Sequence, residues 1–177
     1  MSTLVTIGNY LFRIRAAIAA VAFVLMVLVA KPVHSLAAHM LVLCGSAIRI
    51  WAAGYVGMHA RKPEFVGEIV IRNGPYRLFR HPLYIGNFFL VLGVIVMYNP
   101  PAWLSAIYLI LFVMMYATIV LGELEHLRGK PTGAVCYKIK NLNGEISTWI
   151  VMAAIYCLYF LLLFWSNNPE NTINILR

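Results

Sequence analysis

Residues 72–86 read RNGPYRLFRHPLYIG, the densest run of polar chemistry in the chain. Arg72, Tyr76, Arg77, Arg80, His81 and Tyr84 crowd immediately before an apolar stretch. Gly74-Pro75 breaks the chain, and Pro82 suits the first turn of a helix, where its missing N–H costs little. Free backbone N–H groups at such a helix start, flanked by Arg and His, favour an anion such as a carboxylate. The same residues also compose an aromatic and basic belt at a membrane interface. Taken alone, the segment supports either reading.

A second polar cluster is Glu123-Leu124-Glu125-His126-Leu127. Two residues on a helix are about 200° apart, so Glu123 and Glu125 cannot face one site. His126, three residues on, shares the face of Glu123. Glu123 is therefore the candidate functional carboxylate, against the plainer reading of a solvated helix end. Arg49 lies inside an apolar stretch, about 12 Å along a helix from its polar end. A charge at membrane depth costs ~2.5–3.5 kcal/mol on insertion scales. Arg49 must snorkel to the interface or pair with a carboxylate or a substrate headgroup. His39 and His59 read as interface residues. Cys44, Cys136 and Cys157 form no CxxC pair, so neither a metal site nor a disulfide framework is implied.

These residues must be positioned by membrane helices. The chain is 62% hydrophobic and 11% charged, whereas a soluble domain carries roughly 25% charged residues. Its net charge of +8 is not the mark of a nucleic-acid protein, because no basic run is interleaved with exposed aromatics. It fits the loop charge of a membrane protein. One all-α domain over residues 1–177 is expected, a polytopic bundle with helices at about 14–30, 36–57, 83–98, 102–122 and 146–165. The first apolar run, preceded by Arg13 and Arg15, also has the form of a signal peptide. A second apolar segment comes at once after it, which favours a retained helix. Asn99-Pro100-Pro101 ends one helix and starts the next. Eleven Lys and Arg fall on one side of this topology: Arg13, Arg15, five in loop 58–82 and four in loop 123–145. Lys31 and Arg177 fall on the other, and Arg49 within the bundle. The imbalance puts the N-terminus and both long loops in the cytoplasm, in a cell (inner) membrane or an endoplasmic-reticulum-type membrane.

The motif segment resembles the isoprenylcysteine carboxyl methyltransferase and phospholipid methyltransferase group of membrane enzymes. That group carries Gly-x-Tyr, then Arg-His-Pro-x-Tyr-x-Gly at a helix start. Here these are Gly74-Pro75-Tyr76 and Arg80-His81-Pro82-Leu83-Tyr84-Ile85-Gly86. GSAIRIWAAGYVG, residues 45–57, is similar to the group's preceding helix, and the likeness covers about residues 45–127. The group's Glu-Glu-x-x-Leu is matched by Glu123 and Leu127, with Leu124 in place of the second Glu. The stretch after Glu125 departs from the group's tail, and the basic residue expected one turn before the Glu falls on Ile119.

The resemblance implies an S-adenosylmethionine pocket built by the cytoplasmic ends of the helices. Tyr76, His81, Pro82, Leu83, Tyr84 and Glu123 would line it. So would Glu68, Ile69, Val70 and Ile71, where the group has His-x-Leu-Val and Glu68 replaces the His. His81 and nearby backbone groups would hold the methionine carboxylate. The implied activity is methyl transfer to a lipophilic acceptor, a prenylcysteine carboxylate or another lipid or lipid-modified substrate. Arg80 and Glu123 are its catalytic candidates, and Arg80 would orient a carboxylate. Two rivals stay open: a membrane reductase like the sterol reductases, with a nicotinamide cofactor, and a non-catalytic membrane interaction protein. No metal is expected, and the sequence leaves the oligomeric state open.

Overall fold

A computed structural model describes residues 3–56 and 69–167. The first helix, α1, is Thr3–Leu28. It starts eleven residues before the expected 14, so Arg13 and Arg15 lie within it rather than in a preceding tail. Flanking polar residues hid this start, because the segment before Ile14 lacks the uniform apolarity of residues 16–30. The helix α2 is Leu36–Val56. After it come β1 (Val70–Ile71), the single turn α3 (Pro75–Leu78) and α4 (Pro82–Tyr98). Then come α5 (Ala102–His126), β2 (Thr132–Gly133), a 3₁₀ segment (Ile139–Glu145) and α6 (Ile146–Ser166).

Four helices are long and apolar enough to cross a membrane, and α4 is a shorter apolar fifth. At 1.5 Å per residue, the 17 residues of α4 reach roughly 25 Å. Val21, Ile110, Leu161 and Phe164 are among many large apolar side chains left exposed on α1, α5 and α6. In water such a surface would aggregate, whereas hydrocarbon accepts it.

The bundle is paired by small residues and separated by a turn. α4 packs chiefly on α2, and α5 chiefly on α1. A Cβ added to Gly45 would lie 2.7 Å from the Gly86 carbonyl oxygen, so the α2 and α4 backbones nearly touch. Small residues allow that approach where lipid supplies no hydrophobic drive between helices. Asn99 closes α4 in the left-handed conformation, φ 46°, and donates its N–H to Ile95 O at 2.9 Å. Pro100-Pro101 then opens α5, as expected. The α1–α2 linker satisfies the carbonyls at this end of α4: Lys31 N–H donates to Tyr98 O and Val33 N–H to Met97 O. Tyr98, Tyr159, Met97 and Ala38 form the buried core beneath.

The motif end is organised differently. Residues read as two plain loops are sewn together. β1 and β2 pair in parallel, Val70 with Thr132 and Ile71 with Gly133. The Asn73 amide continues the pairing through Val135 N–H and O, at 3.0 and 2.7 Å. The strap then lies on the end of α2, where Lys138 N–H and Asn141 Nδ2 both donate to Gly54 O.

Candidate active site

The site is assembled where α4 begins and α5 ends. Pro82 is fully buried at the first position of α4, so His81 is left as the residue before the helix. Three residues on, Tyr84 returns to the same face and stacks on His81, ring centres 5.5 Å apart. Glu123, in the last turn of α5, meets both. The Tyr84 hydroxyl donates to Glu123 Oε2 at 2.9 Å, and His81 Nδ1 lies 3.1 Å from the same oxygen. A carboxylate only accepts, so Nδ1 carries the hydrogen and Nε2 is the other ring position. Nε2 is buried and has no partner among the described residues. A buried polar atom of this kind is satisfied by a ligand or a water.

Glu125 points elsewhere and pairs with Arg128 at 3.6 Å on the exposed side. The helical rotation argued from sequence is the rotation found. His126 Nε2 lies 2.8 Å from Lys130 Nζ. Tyr76, on α3, directs its hydroxyl to Ala52 O at 3.5 Å. Burial first, and then the charge of Glu123, push its phenol well above the ordinary tyrosine range, so it stays protonated. Gly74 holds the turn before it at φ 57°, with the Tyr55 ring where a side chain would stand.

The other expected residues are more scattered. Leu83 is half-buried on α4, and Arg80 is exposed beside His81. Val70 and Ile71 form β1, and Ile69, before it, is exposed. Their backbone serves the pairing with β2. Glu68 lies outside the described residues. Among the described residues, no three His, Cys, Asp or Glu side chains come together as metal ligands.

Glu145, Thr148, Asn87 and Tyr116, which gather about Arg49, were not legible in the sequence. Arg49 turns out to pair rather than snorkel. Its Nε and Nη2 grip the two oxygens of Glu145 at 2.8 Å each, and Nη2 also reaches Thr148 at 3.2 Å. Nη1 donates to Asn87 Oδ1. Asn87 Nδ2 in turn donates to the Tyr116 hydroxyl at 2.9 Å. Tyr116 packs edge-on against Tyr84. Arg15, on α1, lies within electrostatic reach of Tyr84 and Tyr116. An apolar period hides Asn87 and Tyr116, and no local pattern pairs Arg49 with a residue 96 positions away. Beside Tyr84 an open groove of about 610 Å³ runs between α4 and α5.

A half-buried His–Glu–Tyr cluster thus sits at the ends of two apolar helices, α4 and α5. The phospholipid methyltransferase family model matches residues 33–130, more than half of the chain, and the chain belongs to that family. It is 30% identical over 112 residues to the cobalt-zinc-cadmium resistance protein CzcN of Cupriavidus metallidurans. That match covers 58% of this chain and 48% of the relative, so the chain spans about half the relative's length. No solved structure matches.

Proposed function

We propose that the protein transfers a methyl group from S-adenosylmethionine to a lipophilic acceptor at the cytoplasmic face of its membrane, as one domain over residues 1–177. Membership of the methyltransferase family supports the reaction class. The observation that carries the site is the His81–Glu123–Tyr84 cluster with its buried, unpartnered Nε2. The residues present fit the cofactor. His81, Tyr76, Tyr84 and Glu123 offer hydrogen-bonding groups of both kinds to a zwitterionic molecule. With its hydrogen on Nδ1, a neutral His81 presents a lone pair at Nε2, which suits the cofactor's amino end; the imidazolium would suit its carboxylate.

The cofactor supplies an activated methyl on a sulfonium, so the protein's part is to position and to exclude water. Glu123 fixes His81 and Tyr84 through one oxygen and keeps the other for the site. Tyr76 closes the floor beside Ala52. Arg80 stands next to His81, where it can orient an anionic acceptor.

The test is binding of S-adenosylhomocysteine to the detergent-purified protein, before and after His81→Ala. Wild-type binding and its loss in a folded His81→Ala variant are expected. Unchanged affinity in that variant would remove His81 from the site. Lipid extracts from cells with and without the gene, compared for a methyl mass difference, then report the acceptor.

A further inference from the structure

Among the described residues near the site, cations fall into two kinds. Some are spent inside the protein: Arg49 on Glu145, Arg128 on Glu125, and Lys130 on His126. No ion pair among the described residues takes up Arg72, Arg77, Arg80, Lys138 or Lys140. All of these but Arg72 flank exposed apolar side chains. Arg77-Leu78-Phe79-Arg80 ends the turn α3 and leads to α4, with Leu78 66% and Phe79 43% exposed. Lys138-Ile139-Lys140 opens the 3₁₀ segment, and Ile139, at 78%, is the most exposed of the large apolar side chains described.

Both tips lie where apolar helices begin. Pro82 starts α4 shortly after Leu78, and the apolar span that contains α6 runs on from Ile139. The 17 residues of α4 reach roughly 25 Å, short of a hydrocarbon core of ~30 Å. A span too short for its bilayer recruits flanking side chains at the boundary. Leu78 and Phe79 supply that extension at the start of α4. Arg77 and Arg80 beside them suit the same boundary, since a long cationic side chain lays its stem along hydrocarbon and keeps its charge wet. Tyr55, at the end of α2, stands between the two tips. Its ring covers Gly74 and meets Tyr137 edge-on, ring centres 5.6 Å apart.

We propose that the two tips, residues 77–80 and 138–140, bind anionic phospholipids of the protein's own membrane, with the cations on the headgroup phosphate and the apolar side chains among the acyl chains. One ligand satisfies both halves of each tip, because it carries a negative charge on a hydrocarbon body. A nucleic acid or an acidic protein meets only the charge and leaves Leu78, Phe79 and Ile139 in water. A zwitterionic lipid meets the apolar half, but its headgroup brings a cation of its own. Each cation at an anionic membrane surface is worth about fivefold in affinity. The cytoplasmic leaflet, to which the proposed orientation assigns this end, is the anionic one. Such lipids are neither cofactor nor methyl acceptor: they hold the Tyr76 turn and the strap against the bilayer.

The test uses the full chain in detergent, titrated with phosphatidylglycerol or with phosphatidylcholine of the same acyl chains, and reads lipid retention by native mass spectrometry. Phosphatidylglycerol should bind roughly tenfold more tightly or better, and the preference should shrink as salt screens it. Lys138→Gln should weaken phosphatidylglycerol about fivefold, and Arg77→Gln, Lys138→Gln and Lys140→Gln together by roughly tenfold or more, with phosphatidylcholine unmoved. Arg80, beside His81, is left in place. Arg128→Gln removes the same charge from a cation already paired with Glu125, and should change neither lipid by more than about twofold. An unchanged melting temperature without added lipid reports that each variant is folded. If the triple variant melts early, the comparison of Lys138→Gln with Arg128→Gln decides alone. Equal retention of the two lipids, or equal losses in Arg128→Gln and Lys138→Gln, overturns the proposal. Tighter binding of an acidic peptide such as oligoglutamate than of phosphatidylglycerol overturns it too.

Discussion

Replacing Glu145 by alanine leaves the Arg49 guanidinium in the bundle with Asn87 and Thr148 as its side-chain partners among the described residues. The wild-type pair is deeply placed, with side-chain exposures of 2% for Glu145 and 11% for Arg49, and joined by two bonds of 2.8 Å. Removing one partner of such a pair costs about 3–5 kcal/mol, because the other charge stays behind without compensation. For a chain of this size that is a fall in melting temperature of roughly 6–20 °C. The pair need not be worth that much in itself, since two apolar side chains can replace an ion pair at little cost. Arg49→Met combined with Glu145→Leu should therefore melt closer to wild type than Glu145→Ala does. The assay is thermal unfolding in one detergent of wild type, Glu145→Ala, Arg49→Met, Glu145→Leu and the double variant, the last three read with wild type as a double-mutant cycle. A Glu145→Ala protein that melts within a degree or two of wild type would show that the pair is solvated. A double variant as damaged as the single would show that Arg49 is needed for something besides its charge partner.

Three further outcomes are expected. Glu123→Gln should weaken S-adenosylhomocysteine binding roughly ten- to hundredfold, whereas Glu125→Gln, on the exposed side with Arg128, should be nearly silent; the reverse order would mean that the site uses the other helix face. Gly86→Ala puts a Cβ 2.5 Å from Arg49 Cγ and 3.0 Å from Gly45 O, so α2 and α4 must part, at about 1–3 kcal/mol measured by thermal unfolding. An unshifted melting curve there would deny the close helix contact. Cysteine at position 130 should resist an impermeant label in intact cells while cysteine at position 31 accepts it; ready labelling at position 130 would reverse the proposed orientation.

Composition and hydropathy alone determined that this is an apolar helical bundle, because a chain so poor in charge cannot present a water-facing surface. Spacing determined more at the motif. Pro82 had to start α4, and rotation about α5 had to separate Glu123 from Glu125; both are consequences of local backbone geometry, and the structure places them so. The Asn99-Pro100-Pro101 turn was legible for the same reason. The start of α1 was not, since a polar flank and a helical flank look alike until Arg15 is seen within reach of Tyr84 and Tyr116. The tertiary structure alone decided which distant residues meet. Arg49 could be recognised as a charge that needed a partner, yet Glu145, Asn87 and Tyr116 became its network only when α2, α4, α5 and the entry to α6 converged. The strap closed by Val70, Thr132 and Asn73 is likewise a pairing between segments about sixty residues apart. The groove belongs to the same category: its walls are ordinary apolar residues, and it exists because α4 and α5 each pack better on another helix than on one another. Local sequence carries propensity and periodicity, whereas complementarity between remote surfaces is a property of the folded chain.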